Sequence, residues 1–409
     1  MRKISYNVVE QMFGVNVLAD RIILHCDLNN FFASCSLLFN PTLRDMPVAV
    51  CGDSENRHGI VLAKNDIAKK YGIKTAEPIF QAKRKCKDLV ILPPLYDAYY
   101  EYSQKAQEIY SRFTDLVEPF GIDECWLDVT GSTLLFGSGE QIANKIRKTV
   151  KKELGLTVSV GVSFNKVFAK LGSDMKKPDA VTVITKENFK EKIWGLSVSD
   201  LLFVGKSTAD KLKSIGVNTI GDISLCDDAT LKRLLGKNGI TLKNSALGLD
   251  DSPVSCILEE TKPKSIGKST TCSKDFENNE DVWKAFLEFA ETISDGLRKY
   301  NLYADGVQVH IRTASLNIKE FSFTFNETTN CALTLAKHGF ELFKQNYNFP
   351  EPLRSVGLRA INLKSDCHAV QQDIFGNAEQ IAKTEQVEDS VYKVRQKFGK
   401  SSVKRGSIV

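Results

Sequence analysis

Three acids in this chain stand where short strands would carry them to one edge: Asp27, and the adjacent pair Asp123 and Glu124. Arg21 to Leu28 (RIILHCDL) reads as a short buried strand that ends at Asp27 and runs on into Asn29-Asn30-Phe31-Phe32. Leu116 to Gly131 (LVEPFGIDECWLDVTG) reads as two short strands meeting near Gly121, with Asp123 and Glu124 at the bend. Carboxylates that converge at strand ends, read here without histidine or cysteine ligands, suit hard cations such as Mg²⁺, which take carboxylate oxygens and keep places for substrate phosphates. A pair of such ions about 3.5–4 Å apart forms the clamp used for in-line phosphoryl transfer. An acidic pair in a turn also has a plainer reading, a solvated bend, and the carboxylates alone leave both open.

The elements that must position these acids alternate between short strands and helices through the first 185 residues. Aromatic and small residues recur at helical spacing over 96–115, and 140–154 gives another helix, ended by Gly155. Strands at 157–163 and 180–184 flank a helix from Lys166 to Asp174. A sheet with helices on one face, built strand–helix–strand–strand–helix–strand, is ferredoxin-like. Residues 32–94 form a small inserted domain closed by Pro93-Pro94. Glycine-punctuated short helices fill 186–250, a linker follows over 251–263, and a last α+β domain spans 264–366 with clear strands at 306–313 and 320–325. Residues 367–409 remain as a C-terminal tail. The fold class is α/β multidomain, of the α+β kind.

Composition is compatible with this and decides little. A length of 409 residues suggests about two to four domains, and 42% hydrophobic with 26% charged residues is ordinary for a soluble protein. A net charge of +5 is mild, so any affinity for nucleic acid must come from local basic surfaces. The ten cysteines form no CxxC pair and the five histidines are scattered, which argues against a zinc site and a disulfide framework. A reduced, cytoplasmic setting is expected. The N-terminus has no signal-peptide layout, and no stretch approaches the roughly 18 apolar residues of a membrane span.

Three segments carry a family resemblance. DLNNFFASC (Asp27–Cys35), GIDECWLDVTG (Gly121–Gly131) and SVGVSFNKVFAKLGSDMKKP (Ser159–Pro178) resemble the palm motifs of Y-family translesion DNA polymerases, in the family's order and spacing. The nearest subgroup is the bacterial DinB (polymerase IV) and UmuC-like enzymes, and the likeness continues to about residue 366. It implies a right-hand polymerase: palm at 1–31 and 95–185, fingers at 32–94, helix–hairpin–helix thumb at 186–250 and little finger at 264–366. It also implies two Mg²⁺ ions, with primer–template DNA and deoxynucleoside triphosphate as substrates.

Residue roles follow from the same resemblance. Asp27 and Asp123 would ligate metal, with the backbone oxygen of Leu28 completing the nucleotide-side ion and Glu124 holding the ion at the primer hydroxyl. Lys177 matches the lysine that reaches the triphosphate, Lys176 faces solvent, and Asp128 is structural. Phe32 matches the steric gate, a ring that leaves no room for a ribose 2′-hydroxyl, while Phe31 beside it packs inward. In the fingers, Asp66 and Lys69 stand where DinB-type enzymes offer a tyrosine and an arginine. Lys69 keeps the charge but not the bidentate fork, and Asp66 points elsewhere or caps the helix after Asn65. Ile60 and Leu62 share the strand face that roofs the nascent base pair. In the thumb hairpin only Gly205-Lys206 remains of the usual GxGK, because Phe203 takes the place of the first glycine.

Further DNA grip is expected from basic surfaces: Lys268 in the lysine-rich 262–274, Arg312 on a strand that alternates buried and polar residues, and Arg354 and Arg359 in a second such element. Ordinary solvated strand faces are the alternative. Ser390 to Val409 holds six basic residues and no acid, another contact or a solubilising tail. QQDIF resembles the bacterial clamp-binding pentapeptide, with Gln371 setting register and Ile374 and Phe375 as anchors; Gln372 departs from the usual leucine. A sliding clamp is therefore an expected partner of a monomeric enzyme. A catalytically inactive accessory relative would have lost the metal carboxylates. A cyclase on the same palm would not need the roughly 220 residues that follow it here.

Overall fold

The structure, a computed structural model, describes residues 20–52, 59–257, 262–365, 377–399 and 402–403. The chain divides after residue 260 into two compact units. In the first, β1 (Ile23–Leu28) is buried along its whole length and leads into α1 (Phe31–Phe39). A small sheet follows, β2 (Val48–Cys51), β3 (Val61–Lys64) and β4 (Val90–Leu92) in the order β3-β2-β4, with helices α2 (Asp66–Lys70) and α3 (Ile79–Lys85) between β3 and β4. The expected palm–fingers boundary after residue 31 falls at the first turn of α1, whose Phe31 and Cys35 lie in the core of the larger sheet.

That larger sheet is completed by α4 (Tyr96–Ser111), β5 (Val117–Pro119), β6 (Glu124–Asp128), α5 (Gly139–Leu154), β7 (Val158–Ser163), α6 (Lys166–Met175) and β8 (Val181–Val183). Its order is β5-β6-β1-β7-β8, with β1 antiparallel to both neighbours and β8 parallel to β7. The first four strands have the ferredoxin-like arrangement. Ser138 and Gln141 form a capping box at the start of α5, and Gly155 ends it with a left-handed φ of 67°.

The helices do not lie on one face as the sequence pattern suggested. Successive strand residues point to opposite faces. Leu24, Cys26 and Leu28 meet Tyr99, Ile109, Ile142 and Ile146 of α4 and α5 on one side. Ile23 and Trp126 meet Ala169 of α6 on the other. The cause is β8: a strand parallel to its neighbour requires a crossover, and here the crossover is α6. The approach is close, because a Cβ on Gly161 would stand 1.9 Å from the Ala169 carbonyl oxygen. The strands that carry the acids are thereby covered by a helix on the very face that carries Asp27.

Short helices fill 186–250 around Leu201, Leu212, Ile220, Ile223 and Leu231, with Phe168 and Leu171 of α6 in the same cluster. Among them α7 (Lys206–Ser214) begins at Gly205.

The second unit is a sheet of β9 (Ile266–Phe276), β10 (Tyr303–Thr313), β11 (Ile318–Thr329) and β12 (Leu353–Lys364), in the order β11-β10-β12-β9. Helices α8 (Asn279–Lys299) and α9 (Ala332–Asn346) cover one face, burying Phe286, Phe289, Leu335 and Phe343. The C-terminal residues are not a free tail. They include α10 (Asn377–Phe398), docked on this unit: Glu388 accepts from the Ala332 N–H at 2.8 Å, Arg298 reaches Asp389 at 2.7 Å, and Arg395 reaches Glu291 at 2.9 Å. A carboxylate on the N-terminus of α9 satisfies donors that the helix itself cannot.

Candidate active site and nucleic-acid surfaces

β1 and β6 pair in a register that puts Asp27 directly opposite Glu124. The Leu28 N–H donates to the Asp123 carbonyl at 3.0 Å, and the Phe120 N–H donates to the Glu124 carbonyl at 2.9 Å, closing the bend that holds Asp123 at the sheet edge. Asp27, Leu28, Asp123 and Glu124 are thus gathered at one place. Asp128 is not among them, since its Oδ1 accepts from the Thr130 N–H at 3.0 Å and the Thr130 hydroxyl at 2.6 Å.

Two lysines enter the acid cluster. The Lys177 ammonium lies 2.7 Å from Asp27 Oδ2 and 3.0 Å from Asp174 Oδ1. Lys170, which sequence reading passed over, lies 2.8 Å from Glu124 Oε1, 3.4 Å from Asp27 Oδ2 and 3.3 Å from Asp174 Oδ2. A second omission is His25, wholly buried, whose Nε2 faces Glu124 Oε2 at 3.5 Å. The available signal was parity: His25 is two residues before Asp27 on the same strand face.

The charges are strongly coupled. Burial pushes the Asp27 carboxyl up, against the pull of Lys177 and Lys170. Burial would also raise Glu124, but the facing His25 and the bonded Lys170 overcome it and hold that carboxyl at about 2. Asp123 gets weaker help, from its own backbone N–H and the charge of Lys170; burial, then the charges of Asp27 and Glu124, push it up to about 6. Four acids, counting Asp174, therefore face two lysines in a partly buried pocket.

Hard oxygen donors with excess negative charge fit a divalent cation. Among the described residues no three acidic, histidine or cysteine side chains yet stand at ligand spacing, and the Lys170 ammonium lies between Asp27 and Glu124. The cluster costs the metal-free fold stability. A carboxyl raised from 3.8 to about 6 penalises the folded state when it is ionised. The penalty is full above pH 6 and fades as pH falls through about 6 toward the unfolded value. Asp123→Asn should therefore stabilise the metal-free protein at pH 7.5 by about 1–3 kcal/mol. The gain should shrink at pH 5, read as thermal midpoints at the two pH values. An Asp123→Asn protein less stable than the original at pH 7.5 would refute the account.

Phe32 is half-buried beside this cluster. Its ring stacks on Tyr99 at 4.3 Å with planes 8° apart and meets Tyr96 edge-on at 6.1 Å. Phe31 lies in the core at 3% exposure and backs Phe32 at 5.9 Å, so it has no surface to offer a nucleotide. Beside the small sheet, Asn65 caps α2 by accepting from the Ala68 N–H, Asp66 sits in the first turn, and Lys69 is exposed. Lys64 is a further cation there; burial and the charge of Lys69 lower its pKa. Ile60 is 38% exposed and Leu62 half-buried, while Val61 between them is in the core, as alternation requires.

The hairpin before α7 explains why glycine suits its first position. Phe203 adopts a left-handed φ of 68° and is 75% exposed. Holding a bulky residue there costs about 1–2 kcal/mol, with little burial in return. Phe203→Gly should raise the unfolding free energy by roughly 0.5–1 kcal/mol after the chain-entropy cost of glycine. A lower denaturant midpoint at unchanged slope would show that Phe203 is held by packing instead.

On the second unit, cross-strand register puts Arg359 beside Gln308 and Gly267, and Arg312 beside Ile318 and Ser355, on the sheet face away from the core. Arg354 is the extra residue of a bulge between Leu353 and Ser355. Lys268 does not join them. It pairs with core residue Leu358 and so points to the helix side, where its ammonium lies 2.8 Å from Glu288.

Comparison with known proteins agrees with this architecture. Residues 26–174 match the impB/mucB/samB family, and residues 263–374 match the C-terminal domain of the same family. A protein named DNA polymerase IV from Acetivibrio thermocellus is 49% identical over 389 residues, covering 95% of this chain and 98% of the relative. DNA polymerase IV 1 of Bacillus subtilis is 37% identical, covering 95% and 93%. A solved Y-family DNA polymerase chimera superposes with a TM-score of 0.74 at 23% identity, covering 84% of this chain and all of that one. The relatives and the family match define the class as a nucleotidyltransferase. The chain belongs to the impB/mucB/samB family, the Y-family DNA polymerases of DinB type. It is a DNA-directed DNA polymerase of the translesion kind.

Proposed function

We propose that Asp27, Asp123 and Glu124, with the Leu28 carbonyl, hold two Mg²⁺ ions that serve DNA-templated nucleotide addition. The observation that supports this most is the Asp27–Glu124 register, with Asp123 raised by burial and by both neighbours at the same edge. When bound, the ions would neutralise developing charge on the transferring phosphoryl group. The protein's own part is positioning. Lys177 faces Asp27 at the mouth of the pocket and is the cation for the triphosphate, and Phe32 takes the sugar side. Primer extension with and without Mg²⁺ tests the reading; extension undiminished by chelation would refute it.

Lys69 and Lys64 are the fingers-side cations of this reading, and Gly205 and Lys206 the thumb's contact with duplex phosphate. Arg312, Arg354 and Arg359 form the grip of the little finger, which salt should weaken. No helix among the described residues is long and apolar enough to cross a membrane. A monomer working in the cytoplasm fits the cysteines of the described residues, which form no disulfide. Gln371, Ile374 and Phe375 lie outside the described residues; their pattern supports a sliding clamp as partner.

The template side has its own test. With Ile60 and Leu62 turned outward from β3, they would crowd the nascent base pair and disfavour bulky or cross-linked bases. Ile60→Ala combined with Leu62→Ala should widen the range of lesions bypassed. An unchanged spectrum on a panel of damaged templates would count against that placement.

A further inference from the structure

His25 is a polar ring where an apolar one would cost less. It is 0% exposed, at the centre of β1, packed edge-on against Trp126 with ring centroids 5.3 Å apart. Burying an imidazole is unfavourable unless its nitrogens are bonded. Nδ1 lies 2.8 Å from the Ser173 hydroxyl on α6. Nε2 is aimed at Glu124 Oε2 at 3.5 Å and has no closer partner among the described residues. The other carboxylate oxygen, Oε1, takes Lys170 at 2.8 Å. One helix thus supplies both sides of Glu124, Lys170 directly and Ser173 through His25.

The tautomer follows from the neighbours. A bare Nε2 would set its lone pair against those of a carboxylate, so the ring proton belongs on Nε2. Nδ1 then accepts from the Ser173 hydroxyl, which turns from its alternative acceptor, the Lys170 carbonyl at 2.8 Å. A small tilt of the carboxylate toward Nε2 would bring the pair within hydrogen-bond reach. We propose that His25, braced by Ser173, is a positioning residue that sets the plane of the Glu124 carboxylate for cation binding. This rests on the reading of Glu124 as a metal ligand. The logic is that of outer-layer partners of metal-binding carboxylates, whose loss costs about 10–100-fold in metal affinity. It does not require His25 to change its charge.

Direct Mn²⁺ binding to the full-length protein without DNA, read from the free-ion electron paramagnetic resonance signal, tests the proposal. His25→Leu keeps the volume and removes the donor; it should weaken Mn²⁺ binding by about 10–100-fold. His25→Gln returns a donor at similar reach and should recover binding to within about 3-fold of the original, a rescue that packing alone would not give. Ser173→Ala should weaken binding by up to about 10-fold, and carries the test if His25→Leu does not fold. Unaltered affinity in His25→Leu or Ser173→Ala, or equal weakness of the Leu and Gln variants, overturns the proposal. Glu124→Gln separates the layers. If it binds Mn²⁺ normally, the ligand reading fails and the strut with it. If it loses binding while His25→Leu does not, only the strut fails.

Discussion

Glu124→Ala is expected to lower primer extension by about 10³-fold or more, while primer–template affinity stays within about 3-fold. Asp123→Ala should behave the same way. Catalysis and grip rest on different groups: the carboxylates sit at the edge shared by β1 and β6, whereas the duplex contacts are assigned to the thumb hairpin and to Arg312, Arg354 and Arg359. Glu124 is the more informative of the two positions because Lys170 holds one of its oxygens and the neutral His25 ring faces the other. Removing it leaves the Lys170 ammonium with Asp27 and Asp174, so the pocket should not collapse. The fold should survive, and thermal midpoints would confirm that lost activity is chemical. Rapid-quench extension and fluorescence anisotropy with a labelled primer–template measure the two quantities. Substantial extension by the Glu124→Ala protein would end its assignment as a ligand. A parallel loss of DNA affinity would place part of the grip at the palm edge.

The positions of these acids were legible because a strand's ends and its period of two are written in local sequence. ILHC followed by Asp27, and ECWL preceded by Asp123, fix which residues reach the edge and which face the core. The partners of those acids were not legible. Lys170, Ser173 and Asp174 are neighbours on α6 by helical spacing. Only the crossover between the parallel strands β7 and β8 lays that helix over His25 and Asp27, and the pairing of β8 is a long-range fact. Lys268 shows the same limit at one-residue scale. Its lysine-rich segment reads as a basic surface for DNA, but register with Leu358 turns Lys268 toward α8. Likewise the basic C-terminal residues read as a tail because nothing local says that Glu388 caps α9 and Arg395 pairs with Glu291.

Phe32→Ala is expected to raise ribonucleotide incorporation relative to deoxyribonucleotide by about 10²-fold, corresponding to about 2.7 kcal/mol in the discriminating barrier. Steric exclusion of a hydroxyl needs a ring that cannot yield, and the stiffness of this one can be traced. Phe32 lies flat against Tyr99 at 4.3 Å, and Tyr99 is itself buried and joined to Ser36 through its hydroxyl at 2.7 Å. Phe31 backs the pair from the core at 5.9 Å from Phe32 and 6.1 Å from Tyr99. An alanine at 32 opens the sugar side without disturbing that support, so deoxynucleotide insertion should fall much less than selectivity. Tyr99→Phe, which frees the supporting ring from Ser36, should relax selectivity in the same direction by a smaller factor. Phe31→Leu is the control: truncation in the core should cost stability, about 1 kcal/mol or more, and leave sugar choice nearly unchanged. Single-turnover incorporation of paired ribo- and deoxynucleoside triphosphates measures each ratio. If Phe31→Leu relaxes sugar choice and Phe32→Ala does not, the gate is the buried ring, and the stacked pair of Phe32 and Tyr99 serves only the core.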